Sequence, residues 1–356
     1  MMHGQGMFSV RQGIKWFYRL SYYTGIIAFF YYLNRRRPRI VSYHHVLPDL
    51  FLKKGLPHLG NACSESIFEQ HLSIITRRFR VGTSLTGATY QGMITFDDGY
   101  KNNMEIVAPI LQHWKIAGVF FIPACYFEGQ TLLWVDQLLA WISYVPEGDY
   151  NLLSTITSIT TLQDREILWE WMYQSILDAP HQIQWIEKLL KETDQGYPYK
   201  ALFSDIDPTL SRLRFTAMTL KELACLKDTG HQIGCHSFKH YILATLDHEK
   251  LMEDFEKSRP YRHYYNSTLF SYPFGGDREV SSREREQVKK EGYSAALMNR
   301  ISIHENNDYA LSRLSLGNCQ DCFSIEAKLS GLETFLKQCF SRLYTLSGRC
   351  LSFKET

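Results

Sequence analysis

The chain has 356 residues, 45% of them hydrophobic and 14% aromatic, enough for a sizeable core and more than a single average domain. A formal net charge of only +2 excludes bulk electrostatic attraction to nucleic acid, and no internal repeat, collagen-like period or low-complexity tract is present. The eight cysteines are scattered and read as reduced thiols in a cytosolic environment.

In chain order, Arg11, Lys15 and Arg19 precede the apolar stretch from Gly25 to Leu33, and Arg35, Arg36, Arg37 and Arg39 follow it. The apolar part is shorter than the roughly 20 residues of a bilayer-spanning helix. Three arginines stand where a small-residue cleavage site would complete a secretory signal. Residues 1–37 therefore predict an aromatic-rich amphipathic helix. Its basic flanks suit an interfacial position on an anionic membrane surface; the plainer reading is a helix packed across the fold before the first strand. The expected location is cytoplasmic, with peripheral contact at the inner membrane face under the first reading.

Strand candidates follow at 40–44, 92–96, 118–122, 232–236, 268–274 and 294–298, separated by helical patterns at 66–78, 104–115, 219–229, 247–258 and 281–291. Repeated strand-then-helix spacing predicts an α/β protein with a parallel sheet. Between about 126 and 212 the pattern changes to amphipathic helical stretches containing Trp134, Trp141, Trp169, Trp171 and Trp185, read as a helical insertion. Trp134-Val135-Asp136 either borders a site or docks the insertion. Cys319 and Cys322 have C-x-x-C spacing, but without a second such pair a zinc ribbon is not expected. Ser324 to Tyr344 reads as a terminal helix before a polar tail.

Three segments carry chemistry. The apolar run Met93-Ile94-Thr95-Phe96 ends in Asp97-Asp98-Gly99. In parallel α/β folds ligands collect at such strand ends, and two adjacent carboxylates repel, a cost that a cation relieves. The plain alternative is an Asp-Gly turn. Downstream, Gln232 to Cys235 leads into His236 and His240, four residues apart and on one face if a helical turn begins there. One carboxylate and two imidazoles are the usual form of a catalytic zinc centre; the plain alternative is a pair of solvated helix histidines. Ser271-Tyr272-Pro273-Phe274-Gly275 closes a further strand candidate and by itself reads as an ordinary turn.

Thr95-Phe96-Asp97-Asp98-Gly99 resembles the first motif of the polysaccharide deacetylase family, also called the NodB-homology family or carbohydrate esterase family 4. His236-Ser237-Phe238-Lys239-His240 resembles its second motif, and Ser271 to Gly275 its third. The resemblance covers roughly residues 38–125 and 210–320. It implies a distorted (β/α) barrel over 38–323, interrupted by the insertion at 126–212 and followed by a C-terminal helix and tail at 324–356. It further implies that Asp97 is the general base and that Asp98, His236 and His240 hold a divalent metal, zinc being the expected ion. The backbone N–H of Phe274 would face a developing oxyanion.

Two departures stand out. Many members carry an arginine two residues before the proline, where this chain has Ser271, and a late Leu-x-His motif, where this chain has Leu311-Ser312-Arg313. Arg313 is a candidate to supply the missing guanidinium to Asp97 by a charge-assisted bond; the alternative is a fold-stabilising arginine. For the general acid, Tyr43-His44 resembles the first-strand segment of permuted members that make exopolysaccharides such as poly-N-acetylglucosamine. His44 matches their acid, with His45 turned to the opposite side of the strand. A buried structural histidine is the alternative. The resemblance thus implies a metal-dependent hydrolase of carbon–nitrogen bonds, removing N-acetyl groups from a sugar of a cell-surface polysaccharide or its lipid-linked precursor. The alternatives are an O-deacetylase or other small amide hydrolase on the same fold, and a catalytically silent glycan-binding scaffold.

Overall fold

The computed structural model describes residues 3–54, 56, 59–85, 87–130, 132–300 and 307–346; the polar tail and the Arg11 side chain lie outside what is described. Two helices open the chain, α1 (His3–Tyr23) and α2 (Ile26–Leu33), in place of one. Between them Gly25 takes a φ of 82°, a left-handed conformation that glycine adopts without steric cost.

β1 (Arg39–Tyr43) then passes to β2 (His45–Leu47), which pairs with β3 (Ala62–Ser64) apart from the main sheet. Ser64 caps α3 (Glu65–Arg78) by accepting from the Ile67 N–H, the usual role of serine at a helix start. After β4 (Arg80–Val81), β5 (Gln91–Phe96), α4 (Ala108–His113) and β6 (Val119–Ile122) comes the segment between sheet strands. It holds α5 (Trp134–Tyr144), a hairpin of β7 (Gly148–Leu152) and β8 (Thr155–Ile159), and α6 (Leu162–Leu177), α7 (Gln182–Gly196), α8 (Tyr199–Asp205) and α9 (Pro208–Phe215). The hairpin is absent from the helical reading of this stretch. Its two turn residues, Leu153 and Ser154, both have positive φ, a turn normally advertised by Asn-Gly or Asp-Gly.

The chain then returns to the sheet through α10 (Leu220–Asp228), β9 (Gln232–Cys235), α11 (His248–Tyr265), β10 (Leu269–Ser271), α12 (Ser282–Lys290), β11 (Ala295–Met298) and β12 (Leu311–Ser315). It ends in α13 (Cys322–Ser330) and α14 (Leu332–Leu346), which replace one terminal helix because Gly331 sits at a φ of 89°.

Seven parallel strands close in the order β1-β12-β11-β10-β9-β6-β5 and back to β1, with β4 added beside β5. This is a distorted (β/α) barrel. The distortion is visible in the pairing: β1 and β5 share five residue pairs, whereas β9 and β10 meet only at Cys235 and Phe270. β10 is shorter than the 268–274 expected, since Pro273 has no N–H to give a ladder.

Alternation along each strand sorts the barrel interior. Ile40, Met93, Val119, Phe121, Leu269 and Leu297 form one apolar cluster. Two or four residues further along β1, β5 and β10 come Ser42, Thr95, Asp97 and Ser271, and on β12 Arg313 comes two residues after Leu311, which packs on that cluster; all five are buried and polar. Val41, Tyr43, Ile94, Phe96 and Phe120 belong to a second core, on the opposite side of the strands, where helices cover the barrel. The fold is thus closed by hydrocarbon at the N-terminal ends of its strands and polar at their C-terminal ends.

Candidate active site

Asp97 and Asp98 follow β5 at the polar end of the barrel, and both are buried. Arg313, from β12, approaches Asp97 inside the barrel: Nη1 donates to Oδ1 and Nη2 to Oδ2, each at 2.7 Å. This parallel pair is the planar fork that matches a carboxylate. The Ser271 hydroxyl adds a long contact to Asp97 Oδ2 at 3.4 Å. Burial pushes the Asp97 carboxyl up, but Arg313 first and His236 next outweigh it, so the group is held below the usual carboxylate range. His44, at the end of β1, places Nε2 at 4.0 Å from Asp97 Oδ2. Burial lowers the His44 pKa against the upward pull of Asp98 and Asp97. His45 turns away, with its ring centroid 4.0 Å from that of Tyr100 and Nδ1 at 3.2 Å from Asn102 Nδ2.

His236 and His240 converge on Asp98, but no helical turn joins them. The segment is a loop in which Ser237 and His240 have positive φ, and the ring centroids end 4.9 Å apart. His236 Nε2 and His240 Nε2 lie 3.3 and 3.2 Å from Asp98 Oδ1. The three residues offer donor atoms within 4.8 Å of one another, all from buried side chains. His236 Nδ1 donates to the Ser271 carbonyl at 2.6 Å, which leaves Nε2 as the lone-pair nitrogen facing Asp98. Asp98 Oδ1 is buried yet accepts no hydrogen bond. An orphan carboxylate oxygen facing two imidazole nitrogens is a donor set that fits a divalent cation.

Backbone strain concentrates here. Asp98, Ser237, His240 and Phe274 all have φ between 58° and 68°, where L side chains are uncommon. Part of what holds them comes from residues to which the sequence reading assigned no role. Asp254, on α11, accepts the Phe238 N–H at 2.9 Å, and Ser237 Oγ accepts the His240 N–H at 3.0 Å. Gln182 of α7 exchanges two hydrogen bonds of 3.0 Å with the backbone of Ile242. Asp254 was detectable in principle: Leu251, Asp254, Phe255 and Ser258 repeat at helical spacing and are all buried, so a carboxylate interrupts a core-facing stripe.

The inserted helices reach the same place. Trp134 Nε1 donates to the His240 carbonyl at 3.2 Å, and the Trp134 and Tyr173 rings lie 6.0 and 5.4 Å from that of Phe274. Phe274 also contacts His240, at 5.1 Å between centroids. Asp136 accepts from the Tyr100 hydroxyl at 2.9 Å and from Arg214 at 2.7 Å, tying α5 and α9 to the residue that follows Gly99. The Cys319–Cys322 pair takes no part: among the described residues all cysteines are free thiols.

Comparison with known proteins adds a family. Residues 211–296 match the model named for polysaccharide deacetylase, a stretch that includes His236, His240 and Phe274. Over that stretch the chain is similar to the polysaccharide deacetylase family. The activity for which that family is named is deacetylation, a hydrolysis. Among solved structures, the Streptococcus pyogenes deacetylase PplD, in complex with acetate, is similar at 12% identity and a TM-score of 0.48, over 80% of this chain and 93% of that one. IcaB from Ammonifex degensii is similar at 14% identity and a TM-score of 0.46, over 83% and 97%. A de-N-acetylase from Aggregatibacter actinomycetemcomitans follows at 13% and 0.47, over 81% and 98%. No curated protein matches the sequence.

Proposed function

We propose that the chain is a metal-dependent hydrolase that removes N-acetyl groups from an N-acetylated sugar of a cell-surface polysaccharide or its lipid-linked precursor. One juxtaposition carries the reading: Asp97, gripped by Arg313, stands beside three buried donor atoms within 4.8 Å of one another. Asp98, His236 and His240 would hold the cation, zinc being the ion that best suits one carboxylate and two imidazoles. When bound there, it supplies Lewis acidity to an acyl carbonyl oxygen.

The remaining work falls to the chain. Asp97 takes the proton of the attacking water. Its Oδ1 keeps a lone pair beyond the one that Arg313 occupies, and the guanidinium holds the carboxylate ionised and aimed. His44 gives a proton to the departing nitrogen, as an acid on the same side as Asp97. The backbone N–H of Phe274 faces the carbonyl oxygen as charge develops on it. Tyr173 and Phe274, backed by the buried Trp134, form an aromatic wall beside His240, and the two half-buried rings offer a surface on which a sugar ring can stack.

The test is acetate release from matched N-acetylated and O-acetylated oligosaccharides. Release from the N-acetyl substrates is the expected result. Release from the O-acetyl esters alone would replace the reading with an O-deacetylase, and no release from either with one of a silent glycan-binding protein.

A further inference from the structure

We infer that α1 and α2 form a docking face for the surface of an anionic lipid bilayer, on the flank of the barrel rather than over its mouth. Both helices pack on α13. Tyr22 and Tyr23 contact Phe323 near its start, at 5.4 and 5.8 Å between ring centroids, and Asn34 donates to the Ser330 carbonyl at its end. Tyr18, Ile27, Phe30 and Tyr31 are buried in the hydrophobic core. What remains exposed on the two helices is unusually apolar for a surface.

On α1, Trp16, Leu20 and Tyr23 recur at helical spacing with 68%, 62% and 69% of their surface exposed. On α2, Ile26, Phe29 and Leu33 do the same. Trp and Tyr favour the headgroup level because an apolar ring carries a polar edge. Lys15, Arg19 and Arg36 are exposed on or beside the same helices. The Arg19 guanidinium lies 5.5 Å from the Trp16 ring centroid, and that of Arg35 4.1 Å from the Tyr32 ring centroid, so charge and aromatic surface are interleaved.

Charge selects the occupant. Residues 1–48 contain seven Lys and Arg and no Asp or Glu, leaving 32 basic and 37 acidic side chains for the rest, a net of +7 against −5. A second copy docking through this face would bring like charge against like, whereas anionic headgroups are attracted to it. Among the described residues no helix is long and apolar enough to cross a membrane. The helices therefore lie in the interface plane, with their aromatic stripes at the acyl boundary.

The test uses the purified full chain and sedimentation with vesicles of phosphatidylcholine, alone or mixed equally with phosphatidylglycerol. Binding to the mixed vesicles only, weakening at high salt, is the expected result. Joint replacement Lys15→Glu, Arg19→Glu and Arg36→Glu is expected to lower partitioning roughly a hundredfold while leaving the thermal unfolding midpoint in place. Trp16→Ser with Phe29→Ser should also lower it, without removing the salt dependence of what remains. Equal binding to both vesicle types would overturn the proposal, as would binding unchanged by charge reversal. So would an absence of lipid binding accompanied by self-association that Trp16→Ser abolishes.

Discussion

Arg313 and Asp97 exchange their two hydrogen bonds where water has almost no access to either group. Removing one member of such a pair leaves the other charge buried and unmatched, a loss of about 3–5 kcal/mol. Arg313→Ala is expected to lose stability of that order in urea unfolding. Arg313→Lys restores the charge but not the fork; its acetate release should fall about a hundredfold through misplacement of Asp97, with bound metal unchanged by elemental analysis. Asp97→Asn is expected to keep the metal and lose activity by ~10²–10⁴-fold, the span associated with a general base. Asp254 allows a test that is independent of catalysis. Burial raises its pKa to about 6, from an ordinary 3.8. The folded chain therefore keeps a proton that the unfolded chain has already released, and stability falls as pH rises from about 4 through about 6. Asp254→Asn retains an acceptor for the Phe238 N–H but does not ionise. Measured against it, the native chain should lose up to about 3 kcal/mol across that interval; a pH-independent difference between the two would mean that Asp254 is not buried as a carboxyl.

The elements of the barrel differ in how openly the sequence announces them. β1, β5 and β6 are buried on both faces and read as apolar runs, which is how parallel strands identify themselves. β12 has the sequence Leu-Ser-Arg-Leu-Ser and reads as no strand, because its alternate residues face the polar end of the barrel and one of them is the arginine that meets Asp97. The four-residue spacing of His236 and His240 suggests a helix. The loop that brings them together instead depends on positive φ at Ser237 and His240, held from α11 by Asp254; serine does not signal that conformation and histidine, though enriched there, signals it only weakly. The same limit applies to the inserted helices. Their tryptophans mark amphipathic packing, but that Trp134 would reach the His240 carbonyl is a tertiary fact. These helices are fastened to the first motif through Asp136, Tyr100 and Arg214, all buried. Asp136→Ala would remove the buried carboxylate that Tyr100 and Arg214 share and is expected to cost about 3–5 kcal/mol, read as a lowered urea midpoint. A change below 1 kcal/mol would show that the cluster does not fasten the insertion.

At the scale of the molecule, a barrel apolar at one end and polar at the other gathers residues from four separated stretches, around Asp97, His236, Ser271 and Arg313, into one buried polar layer, with the partly exposed His44 from a fifth at its edge. The two motifs altered relative to the family, at Ser271 and Arg313, sit side by side in that layer, each bonded to Asp97. Under the proposed function, a guanidinium delivered from β12 takes the place of one from the third motif, and the altered motifs are compatible with activity. The central claim is that a cation held by Asp98, His236 and His240 makes this layer a deacetylase. Its most direct test is the rate of acetate release from an N-acetylated glycan by the purified full chain, measured as isolated, after exhaustive chelation, and after zinc is returned. The expected result is loss on chelation and recovery with zinc, with neither seen in His236→Ala or His240→Ala. An undiminished rate in the metal-free chain, or native activity in either histidine variant, would contradict it.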